Sequence, residues 1–284
     1  MAGRKGWLRR VSGEIYRRLI HHDLMMMAAA ISFYWILAFV PMLLLGTSAV
    51  GYLLGSSDQA VDEIMRAARR FIPRGTGPDV EIFIRGLIQN RHVTGLVGLG
   101  FLLWIAMGLF ETIASSLTRL SGEQETRSYL RRKFVALVLI GTVGSLFVAA
   151  LVASWTLTAW SNLEDLVGIR LGLPAFLHDP NFPRYITTAL MGVLLAVIYR
   201  VAPVRGVRWP WAIVGGAFAG VLWHQAKVIF NWYLVHYARY NLFYGILGGF
   251  VGLVLWIFYT ALILLLGGIL ADVLDRKGRP DDGA

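Results

Sequence analysis

The sequence predicts an all-α, polytopic membrane helix bundle of six transmembrane helices with both termini cytoplasmic, and three observations carry that prediction. Of the 284 residues 57% are hydrophobic and only 15% are charged, whereas soluble domains carry about 25% charge. A water-soluble globule could not cover itself with so little polar surface. The apolar residues fall in long blocks separated by short charged connectors, and Lys and Arg are unequally shared between alternate connectors.

Nearly uncharged stretches run from Leu24 to Ser57, Val93 to Thr118, Phe134 to Asn162, Tyr185 to Tyr199, Trp209 to Tyr237 and Tyr240 to Ala271. All but the fourth exceed the roughly 20 residues needed to cross about 30 Å of hydrocarbon. The fourth reaches that length only with its flanks, out to Pro203. The expected spans are therefore 25–54, 93–117, 134–160, 184–203, 209–236 and 244–271, within a membrane domain of residues 24–272. The first block starts near residue 24 and lacks a small-residue cleavage site, so it is read as a retained span.

Seventeen Lys and Arg residues lie in the N-terminal tail, the connectors between spans two and three and between four and five, and the tail 273–284; nine lie on the opposite side. Positive charge concentrates on the cytoplasmic side of membrane proteins, so both ends are placed there. The net charge of +10 thus reads as topology rather than as a nucleic-acid surface. In residues 1–23, Leu8, Val11, Ile15 and Leu19 share a helical face with most of the arginines elsewhere. This segment is expected to form an amphipathic helix lying flat on the anionic inner leaflet; a solvated basic tail that only sets topology is the simpler alternative.

The outer loop 58–92 contains two amphipathic pieces around Pro73-Arg74-Gly75-Thr76-Gly77-Pro78: the first has Val61, Ile64, Met65 and Ala68 at helical spacing, the second Ile82, Phe83, Leu87 and Ile88. Two short helices are expected, lying on the bilayer or capping the bundle. There is no cysteine, which excludes disulfides, thiolate metal sites and cysteine nucleophiles.

Ionisable groups inside lipid are costly and are candidates for function. Glu111 and Lys227 are the clear cases, and His224, Lys227 and Asn231 at i, i+3 and i+7 align on one face of span five. That stripe is expected to point into the bundle. Glu111 lies about 10 Å from the cytoplasmic end of span two and Lys227 about 12 Å from the outer end of span five. A Glu111, His224, Lys227 cluster could line a transport pathway or simply hold helices together. Pro41 should kink span one. Gly216 with Gly220 and Gly248 with Gly252 form GxxxG pairs, read first as close packing of spans five and six within one chain, with a homodimer left open. The outer turn holds Arg239, Tyr240, Asn241 and Tyr244, either interfacial anchors or substrate contacts. His21-His22-Asp23 is the one segment resembling part of a nuclease site, and it lacks the second cluster a two-metal site needs. No GxxxxGK[ST], HExxH or GxSxG is present, so ATP-driven pumping and the common hydrolase mechanisms have no support. We assign no catalytic residue, metal or cofactor.

Several blocks resemble the YihY/BrkB family of bacterial inner-membrane proteins, some of whose members were once labelled ribonuclease BN. They are Ala28 to Leu45 with Phe33, Tyr34 and Pro41; the basic run Arg127 to Lys133; and Tyr199-Arg200-Val201-Ala202-Pro203 through Val207-Arg208-Trp209 to Tyr244-Gly245, Leu255-Trp256 and Leu264-Leu265-Leu266-Gly267. Two positions depart from the family pattern: Ile269 stands where a glutamate is frequent, and Leu120 where an asparagine is. The resemblance implies a multi-pass protein of the bacterial inner membrane, linked in places to serum resistance and virulence, that binds or transports a lipid, an anionic amphiphile or another envelope molecule. Membrane lipids are its expected partners and nucleic acid is not. A non-transporting scaffold for envelope partners is the alternative, and a membrane-associated ribonuclease the last choice.

Overall fold

The computed structural model describes residues 13–14, 18, 23–54, 57–68, 77–167, 182–237 and 245–278. These residues contain eight long or medium helices and no strand: α1 (Leu24–Leu53), α2 (Ser57–Ala68), α3 (Gly77–Gln89), α4 (Arg91–Leu120), α5 (Tyr129–Val167), α6 (Phe182–Val201), α7 (Trp209–Tyr237) and α8 (Gly245–Lys277). Gly13, Glu14 and Arg18 are helical as well. Among the described residues, five segments are long and apolar enough to cross a bilayer: Leu24–Tyr52, Arg91–Leu120, Tyr129–Ala149, Trp209–Tyr233 and Phe250–Lys277. The fourth predicted span falls on α6, whose 20 residues measure about 30 Å end to end. Leu96, Trp104, Phe134 and Ile229 are exposed on these helices, as suits a surface whose solvent is hydrocarbon. The protein is a polytopic helical membrane protein.

Two helices outrun their predicted spans. α5 begins at Tyr129 instead of 134 and continues to Val167 instead of 160, because Tyr129-Leu130-Arg131-Arg132-Lys133 holds no helix breaker and the Arg132 amide donates to the Ser128 carbonyl at 3.0 Å. α8 runs to Lys277, six residues past the expected end at 271. The tail expected from 273 therefore starts later, since Val273, Leu274 and Asp275 are buried helical residues.

By internal packing the chain divides into two compact units, one of Met1–Ile31, Phe110–Arg239 and Phe258–Ala284, the other of Ser32–Leu109 and Tyr240–Ile257. In the second unit, α2 and α3 pair around Ala60, Val61, Ile84 and Ile88, with Val50 of α1 against this cluster. The predicted pair of short helices is thus a hairpin seated on its own core. Gly51 admits Ile88, whose Cγ2 would stand 3.2 Å from a Cβ at that position. Arg85 of α3 pairs with Asp58 and with Glu81, and these two hydrogen-bonded carboxylates raise its pKa. α1 passes through a buried Pro41 without interruption and meets α4 where Ser48 Oγ donates to the Arg91 carbonyl at 2.8 Å.

In the first unit, α4 ends in a Schellman turn. Gly122 takes φ of 68°, its amide donating to the Arg119 carbonyl at 2.8 Å and the Glu123 amide to Thr118 at 3.1 Å, which closes the helix and leaves the Leu120 and Ser121 carbonyls free to bind elsewhere. Buried Tyr199 of α6 donates its hydroxyl to the Leu264 carbonyl of α8 at 2.8 Å. Tyr199→Phe is expected to cost about 1 kcal/mol of stability, measured as a lower thermal midpoint in detergent.

Candidate functional site

The site is built on a glycine-mediated contact. On α7, a Cβ at Gly216 would run into the Gly192 carbonyl of α6 and stand 2.8 Å from the Ala196 amide, and one at Gly220 would lie 3.0 Å from the Thr188 carbonyl. Backbones this close require glycine at both positions. The expectation that Gly216 and Gly220 pack span five on span six is thus corrected: they pack on α6, span four, while Gly215 faces Gly267 and Ala271 of α8. Helical periodicity gave the small-residue face but not the neighbour occupying it.

Beside this contact, small residues leave a groove. Gly192 and Ala196 of α6 are its buried residues, and exposed Ala189 and Val193 of α6 and Ile213, Ala217 and Val221 of α7 line it, an open groove of about 700 Å³. One end is marked by Trp209 and the other by Thr188 and His224. From Trp209 to His224 is about 22 Å along the helix at 1.5 Å per residue, longer than the roughly 15 Å of one leaflet. Thr188 Oγ1 and His224 Nδ1 stand 3.2 Å apart, a hydrogen bond that closes the polar end.

The stripe His224, Lys227 and Asn231 does not point wholly inward. His224 and Lys227 are half-buried and Asn231 is exposed, which puts the stripe along the rim of the groove and its extension. The Lys227 ammonium lies 5.3 Å from the centre of the Trp223 ring, a cation–π contact. Glu111 is paired elsewhere: Lys133 Nζ stands 2.8 Å from its carboxylate, and the same ammonium is 5.4 Å from the Tyr129 ring. The depth expected for Glu111, about 10 Å inside the cytoplasmic end, is within reach of a long side chain from the basic start of α5. Its partner is therefore Lys133, and no contact among the described residues joins it to His224 or Lys227. Gly252 is buried. The surroundings of Gly248, and Arg239, Tyr240, Asn241 and Tyr244 altogether, lie outside the described residues, as do Leu8, Val11, Ile15, Leu19, His21 and His22. Asp23 is exposed.

The densest polar cluster was not singled out from the sequence. Asp272 and Asp275 near the end of α8 are 5% and 3% exposed. Arg18 donates to Asp272 at 2.6 Å and to the Leu120 carbonyl at 2.9 Å, and Arg276 reaches Asp272 at 2.9 Å and the Ser121 carbonyl. Arg208 binds Asp275 through Oδ1 at 2.6 Å and its carbonyl at 3.0 Å. Arg127 caps the end of α6, donating to Ala202 at 2.9 Å and Pro203 at 2.5 Å, and burial lowers its pKa. Arg18 is thus not a peripheral charge on the leaflet but is turned into the protein. The readable signal was an Asp pair at i, i+3 among apolar residues, Ala271-Asp272-Val273-Leu274-Asp275, which continues the buried face of the helix.

A family profile described as virulence factor BrkB matches residues 15–284. The chain is 27% identical over 268 residues to a UPF0761 membrane protein of Tolumonas auensis, covering 91% of this chain and 83% of that one. It is 24% identical over 274 residues to the ribonuclease-like protein YfkH of Bacillus subtilis, covering 95% and 97%. A UPF0761 membrane protein of Nitrosospira multiformis is 25% identical, over 94% of this chain and 62% of that one. No solved structure matches. With the profile reaching across the spans, the groove and the carboxylate cluster alike, this multi-pass bacterial membrane protein belongs to the virulence factor BrkB family.

Proposed function

We propose that this protein binds a membrane lipid by one acyl chain laid in the α6–α7 groove, and that it carries such an amphiphile between leaflets. The observation supporting this is the groove itself: apolar along about 22 Å, about 700 Å³ in volume and polar only where Thr188 meets His224. Acyl chains are the ligands that fill long apolar grooves within hydrocarbon. Carriage needs no nucleotide site in this reading; the lipid gradient or a coupled ion supplies direction.

Native mass spectrometry of the full chain, released from mild detergent after partial delipidation, tests it. The wild type is expected to retain one lipid per chain, and Ala217→Phe, which places a ring in the groove, to retain it about tenfold less, equivalent to about 1.4 kcal/mol. Equal retention by both proteins contradicts the proposal. A scaffold acting through the outer hairpin would be indifferent to Ala217→Phe. Ribonuclease chemistry, suggested by the name of one relative, would have to rest on His21, His22 and the exposed Asp23.

A further inference from the structure

The two ends of the groove differ in a way that assigns the direction of the ligand and the chemistry of its headgroup. At the Trp209 end the neighbouring cations are engaged: Arg208 holds Asp275, and Arg200 donates to the carbonyls of Gly206 and Val207 at 3.4 and 3.2 Å. At the other end stands His224, with Lys227 one turn further along the same face, about 4.5 Å in axial rise. Among the described residues no carboxylate lies within ion-pair distance of Lys227, whose neighbour is the face of Trp223. A cation held in a bilayer against an aromatic ring is only partly compensated, since the ring offers a quadrupole and not a charge. An anion would complete the site, and a phospholipid brings its phosphate attached to a chain able to fill the groove.

We infer that the groove takes an anionic phospholipid with its phosphate at the Thr188, His224 and Lys227 end and its chain directed toward Trp209. This rests on the groove being a lipid site and adds the headgroup and its polarity. Lys227 supplies the charge, and His224 and Thr188 supply hydrogen bonds to phosphate or glycerol oxygens. Exposed Asn231 continues the polar face toward the end of α7. On the charge bias that places the Trp209 end at the cytoplasm, the chain runs from the headgroup toward the inner face of the membrane.

The test uses three lipids with identical acyl chains, phosphatidylglycerol, phosphatidylcholine and diacylglycerol, exchanged at equal mole fraction onto the full-length protein and counted by native mass spectrometry. The wild type is expected to prefer phosphatidylglycerol about tenfold. Lys227→Gln should abolish the preference while still retaining all three, Lys227→Arg should keep it, and Ala217→Phe should lose all three. A wild type that binds the three equally, or Lys227→Gln that keeps the wild-type preference, overturns the headgroup assignment and leaves the groove standing. If Ala217→Phe retains lipid like the wild type, the groove reading fails first. Loss of all lipid by both Lys227 variants, with wild-type thermal midpoints, also overturns the assignment, because charge would then not be what Lys227 supplies.

Discussion

Asp272→Ala is expected to lower the unfolding free energy by about 3 kcal/mol, the low end of the range for removing one partner of a buried ion pair. The carboxylate accepts from Arg18 at 2.6 Å and from Arg276 at 2.9 Å, and the side chains of Asp272 and Arg18 are 7% and 11% exposed. Removing it takes the shared carboxylate from two guanidiniums, of which Arg276, one-third exposed, keeps the Ser121 carbonyl and Glu123 and gains water. Arg18 keeps only the Leu120 carbonyl and Glu14. The loss should therefore appear twice: as a lower thermal midpoint in detergent, and as faster amide exchange at Glu14 and Arg18. Asp272→Asn, which keeps the shape and acceptor oxygen but removes the charge, should lie between wild type and alanine. If alanine costs less than about 1 kcal/mol, the cluster is a surface feature and not an anchor.

Gly216→Leu is expected to be at least as damaging, for a different reason. The first carbon added to Gly216 already meets the Gly192 carbonyl and the Ala196 amide, both backbone atoms that cannot turn aside. α6 and α7 must separate, and overpacking of this kind costs about 1–3 kcal/mol or more. Because the groove is the space beside that contact, its lipid should be lost along with the stability. Gly46→Leu on α1 is the control, since nothing lies within 4 Å of a Cβ there. A Gly216→Leu protein with a wild-type midpoint would show that α6 and α7 do not approach as described.

The spans were readable because a bilayer imposes a length on every apolar helix, and the hairpin because Val61, Ile64 and Met65 on one helix and Ile88 on the other reach its core, although Ile82 and Phe83 are exposed and the unforeseen Ile84 takes their place. Helix ends were less readable. Asp272, Asp275 and Arg276 look like the start of a solvated tail until Arg18 and Arg208 neutralise the carboxylates, and those partners come from 254 and 67 residues away. Within the membrane, sequence reports depth along a helix but not which helix lies opposite. That is why Glu111 stood out as a charge within an apolar span while its partner Lys133 was not foreseen, and why Gly216 and Gly220 were known as a packing face without α6 being known as their neighbour. The groove was invisible for the same reason: Ala189, Gly192, Ala196 and Ala217 are unremarked small residues until two helices place them together.

A density map of the full chain in nanodiscs containing phosphatidylglycerol tests the central claim most directly. The account predicts elongated lipid density in the α6–α7 groove from Trp209 to Thr188 and His224, with its headgroup beside Lys227. A groove filled by protein, or left bare while lipid is ordered elsewhere on the helices, would contradict it.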